Sequence, residues 1–235
     1  MRAVILAGGQ GTRLRPYTTV LPKPLLPVGH KAIVEVIIDQ LKTHGFTHIT
    51  LALGHLAHLI KAVLGNGDKY RLTVDYVVED IPLGTSGPLA MIKDLDGTFL
   101  VMNGDILSNI DFNDVVRFHR EQKAMATIAV HKRVVTIDYG VLDRAGYSLV
   151  TYKEKPVFDY EVSTGIYVLE SSVLRYIIPD SRLDFPELVQ RLMKNREKVS
   201  CYPFEGMWYD LGRAEDFSFV QDHASKFHEV IPFLA

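Results

Sequence analysis

Between Val4 and Val78 the apolar positions switch back and forth between two spacings. Val4 to Ala7 is a short unbroken run without helical spacing, which predicts a buried strand, and Gly8, Gly9 and Gly11 interrupt it at once. Ile33, Val34, Val36, Ile37, Ile38 and Leu41 then form a helical stripe within Lys31 to His44, closed by Gly45. Thr47 to Leu53 reads as a strand, His55 to Leu64 as an amphipathic helix ended by Gly65-Asn66-Gly67, and Leu72 to Val78 as a third strand. Strand, helix, strand, helix, strand is the order that builds a parallel sheet with helices on both faces. Ligands of such sheets lie beyond the carboxyl ends of the strands, so the residues that follow each strand become the candidates for chemistry.

The same reading predicts a helix over Leu89 to Leu95 and a strand over Thr98 to Met102. A helix follows over Asp111 to Gln122, with Asp111 as its N-cap and Phe112, Val115, Val116 and Phe118 facing inward. Beyond it the texture changes. Ala126 to Val130, Tyr139 to Leu142, Ser148 to Tyr152 and Ser163 to Leu169 are short strand-like runs separated by turns, which predicts an antiparallel insert. Ser171 to Ile178 and Leu183 to Arg196 read as helices, Val199 to Phe204 as a strand and Ala214 to Phe227 as a closing helix.

Composition narrows the class. The chain has 235 residues, 47% of them hydrophobic and 23% charged, with a formal net charge of -2. That describes one large globular domain with enough apolar surface for a substantial core. Near-neutral charge argues against bulk nucleic-acid binding, so cations meant for a polyanion must be concentrated locally. No apolar run reaches membrane-spanning length, and Ala3 to Ala7 is too short for a signal sequence. The single cysteine, Cys201, sits among Val199, Tyr202 and Phe204, where a buried apolar role is expected; a reducing, cytoplasmic setting fits.

Glycines set the chemistry. Three glycines in four positions after a strand lose much backbone entropy on folding, which suits a backbone that must turn sharply or let a phosphate approach its N–H groups. Arg13 adds a planar fork and Lys23 a point charge, with Pro22 and Pro24 restricting the backbone around the lysine. The plainer alternative is a glycine turn with two solvated cations. Leu14 stands where a dinucleotide fingerprint needs glycine, and Gly11-Thr12-Arg13 stands where a P-loop needs Gly-Lys-Ser/Thr. Downstream, Gly84 and Gly87 flank Thr85-Ser86 in a loop suited to a nucleobase edge or a phosphate. Asp105 follows a strand beside Gly104, and Asp210 follows Trp208-Tyr209 near Gly212. Each aspartate alone could be a turn residue; together they suggest a Mg²⁺ site, which takes one or two protein carboxylates and completes its shell with phosphate and water. Lys153-Glu154-Lys155 taken alone is a solvated charge cluster. His44, His48, His55 and His58 form no metal motif and are expected at the surface or as caps.

Gly8-Gly9-Gln10-Gly11-Thr12-Arg13-Leu14-Arg15-Pro16-Tyr17-Thr18, followed by Pro22-Lys23-Pro24 and Pro27-Val28, resembles the signature of the sugar-1-phosphate nucleotidyltransferases (nucleotide-sugar pyrophosphorylases). Pro82-Leu83-Gly84-Thr85-Ser86-Gly87, Glu154-Lys155-Pro156 and Thr164-Gly165-Ile166-Tyr167 resemble further family segments, and the likeness runs from Met1 to about Phe219. The resemblance implies a Rossmann-like α/β fold of GT-A type, a mainly parallel sheet flanked by helices with a small antiparallel insert for the sugar. It implies a single catalytic domain, with a nucleotide half over about 1–122, a sugar half over about 123–210 and a closing helix over 211–235, and without the β-helix domain of longer relatives. It implies NTP and sugar 1-phosphate as substrates, Mg²⁺ as cofactor, no nucleic-acid or membrane partner, and a homodimer as one assembly.

Residue by residue, the resemblance places Leu6, Gly8, Gly9, Gly11, Thr12, Arg13, Lys23, Glu79, Pro82, Gly84 and Thr85 around the nucleotide. It places Gly140, Glu154, Lys155, Ser163 and Thr164 around the sugar phosphate, Asp105 and Asp210 on the metal, and catalysis on Arg13, Lys23, Asp105 and Asp210. The Pro82 to Leu89 loop looks most like that of guanylyltransferases for mannose or heptose 1-phosphates, so GTP is the expected nucleotide. Uridylyl or thymidylyl transfer, cytidylyl transfer to a polyol phosphate or phosphocholine, and a non-catalytic sensor of nucleotide-sugars are the alternatives.

Overall fold

The computed structural model describes residues 1–227. In chain order its elements are β1 Arg2–Ala7, the short strands β2 Pro27–Val28 and β3 Lys31–Ala32, α1 Ile33–Thr43, β4 His48–Leu53, α2 Ala57–Leu64 and β5 Thr73–Val78. There follow β6 Thr98–Asn103, β7 Ile106–Ser108, α3 Phe112–Gln122, β8 Ala126–Thr136, β9 Val141–Ala145, β10 Ser148–Lys153 and β11 Val157–Glu170. The last are α4 Phe185–Lys194, β12 Val199–Phe204, β13 Trp208–Asp210 and α5 Ala214–Phe227. Residues 228–235 of the expected closing segment lie outside the described residues.

Seven strands form one sheet in the order β12-β8-β11-β6-β1-β4-β5. Every neighbouring pair is parallel except the two made by β11, which runs against both β6 and β8. The side chains of β1 alternate between two cores. Ala3, Ile5 and Ala7 pack with α1, α2 and α3 through Ile37, Ile60 and Val115, whereas Val4 packs with Leu89, Phe185 and Leu188 on the opposite face. Val4 and Ile5 are fully buried, each contributing roughly 1.5–3 kcal/mol. This is the expected sheet with helices on both faces. The helix starts follow local chemistry: Asp111 accepts from Asn113 N at 2.8 Å, and Glu187 reaches back to accept from Asp184 N at 3.2 Å.

Several expectations are corrected. The runs Ala126 to Val130 and Ser163 to Leu169 are not an insert of their own; they are the inner halves of β8 and β11 within the main sheet. Residues 131–136 and 157–162 continue the pairing outward, and the separate β9–β10 hairpin completes the true antiparallel appendage. The predicted helices at Leu89 to Leu95 and Ser171 to Ile178 are 3₁₀ segments, Gly87–Met91 and Ser171–Tyr176. Cys201 is exposed, because β12 is an edge strand that turns this position to solvent. Phe118 is half-buried edge-on to Tyr202, and the neighbouring His119 is the buried residue, bonded to Thr127 Oγ1 at 2.8 Å. The other histidines behave as expected: His55 and His58 are exposed, and His44 closes α1 with Nδ1 2.9 Å from Gln40 O. Among the described residues no helix is long and apolar enough to cross a membrane.

Candidate active site

Strand register determines where the chemistry sits. Leu6 pairs with Asn103, Ala7 with Leu53, and Leu53 with Val78, so β1, β4, β5 and β6 end level with one another. Directly past those ends lie Gly8, Gly54, Glu79 and Gly104-Asp105. The backbones crowd there: a Cβ on Gly54 would stand 2.7 Å from Gly8 O, which only glycine avoids. A cavity of about 290 Å³ opens over this edge. Of the expected nucleotide contacts, Leu6, Gly8, Gly9, Lys23, Glu79, Pro82, Gly84 and Thr85 line it; Gly11, Thr12 and Arg13 do not. Asn103 also lines it, a residue the sequence reading passed over although it precedes Gly104-Asp105.

A larger cavity of about 710 Å³ lies at the other end of the sheet, around Met1, Arg2, His48 and Asp75. It holds none of the motif residues. The Arg2 guanidinium within it is already bonded to Thr50 Oγ1 at 2.9 Å and to the Lys93 and Asp94 carbonyls at 3.0 and 3.1 Å.

Arg13 and Lys23 are each carried on a short 3₁₀ turn. Gly11 enters the first turn with φ of 63°, and Thr18 Oγ1 donates to its carbonyl at 2.8 Å, folding the loop back on itself. Buried Leu14 anchors that turn and buried Pro24 anchors the second. The Lys23 ammonium bonds Asp105 Oδ2. Asp210 arrives on β13, which pairs antiparallel with β7 and sets Asp210 opposite Ile106; Leu211 N donates to Asp105 O at 2.9 Å. Gly212 N donates to Asp210 Oδ1, also at 2.9 Å.

Gly212 shows how close these groups are. A Cβ there would stand 2.8 Å from Asp210 Oδ1, 2.8 Å from Lys23 Nζ and 2.9 Å from Arg13 Nη2. Two cations and the Asp210 carboxylate therefore crowd one bare α-carbon, and Asp105 is joined to them through Lys23. Its φ is not in the left-handed region, so alanine fits the backbone and only side-chain ends must move. We expect Gly212→Ala to keep its melting temperature within a few degrees and to lose activity by about 10²-fold, the scale for displacing reacting groups by an ångström. Thermal melts beside initial rates check this.

Glu79 is the cavity's other carboxylate. Leu83 N donates to its Oε2 at 2.7 Å, and a Cβ on Gly8 would collide with its Oε1. Burial raises its carboxyl above the usual range, an effect the Leu83 bond partly offsets.

The sugar-side candidates are less concentrated. Glu154 and Lys155 sit at the turn between β10 and β11, exposed, with Tyr152 OH donating to Glu154 Oε2 at 2.8 Å and Lys155 at a φ of 44°. Gly140 lies against the Tyr152 ring and hydroxyl, leaving no room for a side chain. Ser163 Oγ donates to Tyr167 OH at 3.1 Å. The pairing of β11 with β8 shifts between Ser163 and Tyr167, around Gly165 with φ of 77°. Thr164 fills the resulting gap: it is fully buried and its Oγ1 donates to Ala129 O at 2.8 Å. None of the five lines the nucleotide-side cavity.

The fold and this crevice define a mixed α/β sheet covered on both faces, with glycines, the Lys23–Asp105 ion pair, Arg13 and Asp210 at its carboxyl edge. The chain belongs to the nucleotidyl transferase family, whose model matches residues 2–226. It is 35% identical over 227 residues to a mannose-1-phosphate guanyltransferase of Schizosaccharomyces pombe, covering 92% of this chain and 62% of that one. It is 34% identical over 240 residues to a UTP–glucose-1-phosphate uridylyltransferase of Synechocystis, covering 92% and 61%. The chain thus spans about three fifths of the length of these curated relatives. A Bacillus anthracis protein assigned as a glucose-1-phosphate thymidylyltransferase superposes with a TM-score of 0.77 at 27% identity, over 95% of each chain.

Proposed function

We propose that this protein transfers a nucleotidyl group from GTP to a sugar 1-phosphate, releasing pyrophosphate and forming a nucleoside-diphosphate sugar. The observation that carries this reading is the placing of Arg13, Lys23 and Asp210 about Gly212, with Asp105 bonded to Lys23, beside the cavity at the sheet's carboxyl edge. The relatives named above differ in base but are each named for transfer to a sugar 1-phosphate. The uridylyltransferase relative, at the same level of identity, supports UTP as the second reading.

A sugar phosphate oxygen attacks the α-phosphorus, the bond from that phosphorus to the bridging oxygen breaks, and pyrophosphate leaves. The nucleophile is already an anion and needs no general base. What the protein must supply is in-line positioning of two anions that repel one another and positive groups to neutralise the charge that builds on the leaving group. Arg13 and Lys23 approach the triphosphate from the glycine-loop side. Lys155 holds the sugar phosphate and Glu154 the sugar hydroxyls once the β9–β10 appendage and the crevice share one substrate pair.

The residues also suit a divalent cation. Asp105 and Asp210 offer hard oxygen donors, the kind Mg²⁺ takes, with phosphate and water to complete its shell. When bound, Mg²⁺ supplies positive charge to the phosphate oxygens. Lys23 holds Asp105 in place meanwhile, so that carboxylate is oriented in the cation's absence.

Two experiments test the reading. Incubation with GTP, Mg²⁺ and mannose 1-phosphate or other sugar 1-phosphates should give a nucleoside-diphosphate sugar by mass spectrometry; free GMP alone would contradict transfer. Lys155→Ala should raise KM for the sugar 1-phosphate about tenfold or more while leaving KM for the NTP nearly unchanged, the pattern of a contact to one substrate. Equal effects on both would remove Lys155 from the sugar-phosphate site.

A further inference from the structure

Asn103 ends β6 at the wall of the cavity, and the protein makes no use of its amide. Phe99 and Val101 bury on the face of the sheet that holds Val4, and Asn103, two residues past Val101, takes the same face beside Leu6. The residue is half-buried and lines the cavity. Among the described residues no group donates to its amide or accepts from it. Its backbone, by contrast, is held: Asn103 pairs with Leu6, and Gly104 N donates to Leu6 O at 2.8 Å. Toward β11 the space is kept open by Gly165, where a Cβ would stand 2.6 Å from Asn103 Nδ2. An amide in such a place offers one donor and one acceptor to whatever enters the cavity.

Position across the sheet determines which part of a ligand it meets. Glu79 follows β5, three strands away from β6, roughly 14 Å at the usual strand spacing. Asp105 lies two residues further along the chain, and β11, on the other side of β6, leads out to the β9–β10 appendage. Asn103 thus stands between the groups assigned to the phosphates and the elements assigned to the sugar. Phosphate oxygens only accept, and in the proposed reaction Arg13 and Lys23 meet them. A sugar hydroxyl both donates and accepts, as the amide does. On a sugar 1-phosphate the hydroxyl nearest the phosphate is the one on C2.

We infer that the Asn103 amide bonds the C2 hydroxyl of the sugar and so selects its configuration at that carbon. The inference rests on the nucleotidyl-transfer reading, which supplies the sugar 1-phosphate. Mannose and glucose differ only at C2, and relatives named for each match this chain at nearly the same identity. A side chain fixed at the end of a central strand is suited to telling them apart, because it holds one position against which one epimer bonds and the other leaves the amide unpaired. Asn103 is in this account a specificity-determining residue, separate from the Arg13–Lys23–Asp105–Asp210 group.

Initial rates of pyrophosphate release with mannose 1-phosphate, glucose 1-phosphate and 2-deoxyglucose 1-phosphate test the assignment, with Mg²⁺ and whichever of GTP and UTP supports turnover. The deoxy sugar is the common parent of the two epimers and lacks only the hydroxyl in question. Wild-type protein should favour one epimer by about 10-fold or more in kcat/KM over both the other epimer and the deoxy sugar. Asn103→Leu should turn over all three within about threefold of one another, with KM for the NTP near the wild-type value. It should also melt like wild type, because the amide ties no other described residue. Asn103→Ala repeats the test without a branched side chain against Gly165. A variant that keeps the wild-type ratio, a variant that loses all three sugars equally, or a wild-type protein that treats the three alike would each overturn the inference. Turnover of other sugar 1-phosphates but of neither epimer would do the same. All of those results leave the transfer reading standing, whereas no pyrophosphate release from any sugar 1-phosphate sinks that reading and this inference with it.

Discussion

Asp105→Asn and Asp210→Asn should each lower kcat/KM by at least about 10²-fold, the scale for losing a charge interaction made in the transition state. Both variants should remain folded, and the structure says why. The tie between the two segments runs through the backbone, from Leu211 N to Asp105 O, and does not use the side chain that changes. An asparagine at 210 can still accept from Gly212 N through its carbonyl oxygen. At 105 the change leaves Lys23 without its partner, but the ammonium also lies close to Asp210 across Gly212, so it is not stranded. The usual 3–5 kcal/mol cost of breaking a buried pair is therefore reduced. Chelation by EDTA should abolish wild-type turnover until Mg²⁺ is restored. Chelated protein that keeps its normal rate would remove the metal role from both aspartates.

Lys23→Ala should be as damaging to rate, at least about 10²-fold in kcat/KM, and Arg13→Ala similarly. The lysine variant carries a second signature. Removing the ammonium takes from Asp105 the cation it is bonded to and from Asp210 a cation that sits near it at Gly212, and like charges held close repel unless something neutralises them. Its melting temperature should therefore fall in metal-free buffer and recover on adding Mg²⁺ by more than wild type gains. A melt indifferent to Mg²⁺ would show that the two carboxylates do not share a cation.

Much of this arrangement is legible in the amino-acid sequence because local patterns carry it. The first three strands and two helices announce themselves through clean changes of period from Val4 to Val78, and β1 must be a buried strand because nothing else accommodates Val4 and Ile5. The outer halves of β8 and β11 were invisible for the opposite reason. Lys132, Arg133, Asp159 and Tyr160 pair beyond the core with little to bury, so their strand character leaves no apolar signal. Cys201 misled because apolar neighbours say nothing about which face of an edge strand a residue takes; Pro203, tolerated best on an edge, was the available clue.

At the site, Arg13, Lys23 and Asp105 stood out by type and spacing. Gly212 was marked only as a neighbour of Asp210, since its closeness to Arg13 and Lys23, on two other segments, arises only where β13 meets β7. The bond from the Thr164 hydroxyl to Ala129 O could not be read either, because it forms where the pairing of β8 and β11 shifts register.

The proposed reaction is a single displacement at the α-phosphorus in which the sugar phosphate is the attacking group and the protein only positions and neutralises. Exchange of labelled pyrophosphate into NTP measures it most directly. With Mg²⁺ present, no exchange should occur with GTP alone, and adding a sugar 1-phosphate should switch it on. Exchange without any sugar phosphate would mean a covalent nucleotidyl–enzyme, and no exchange with any of the four NTPs when sugar 1-phosphates are supplied would contradict the account altogether.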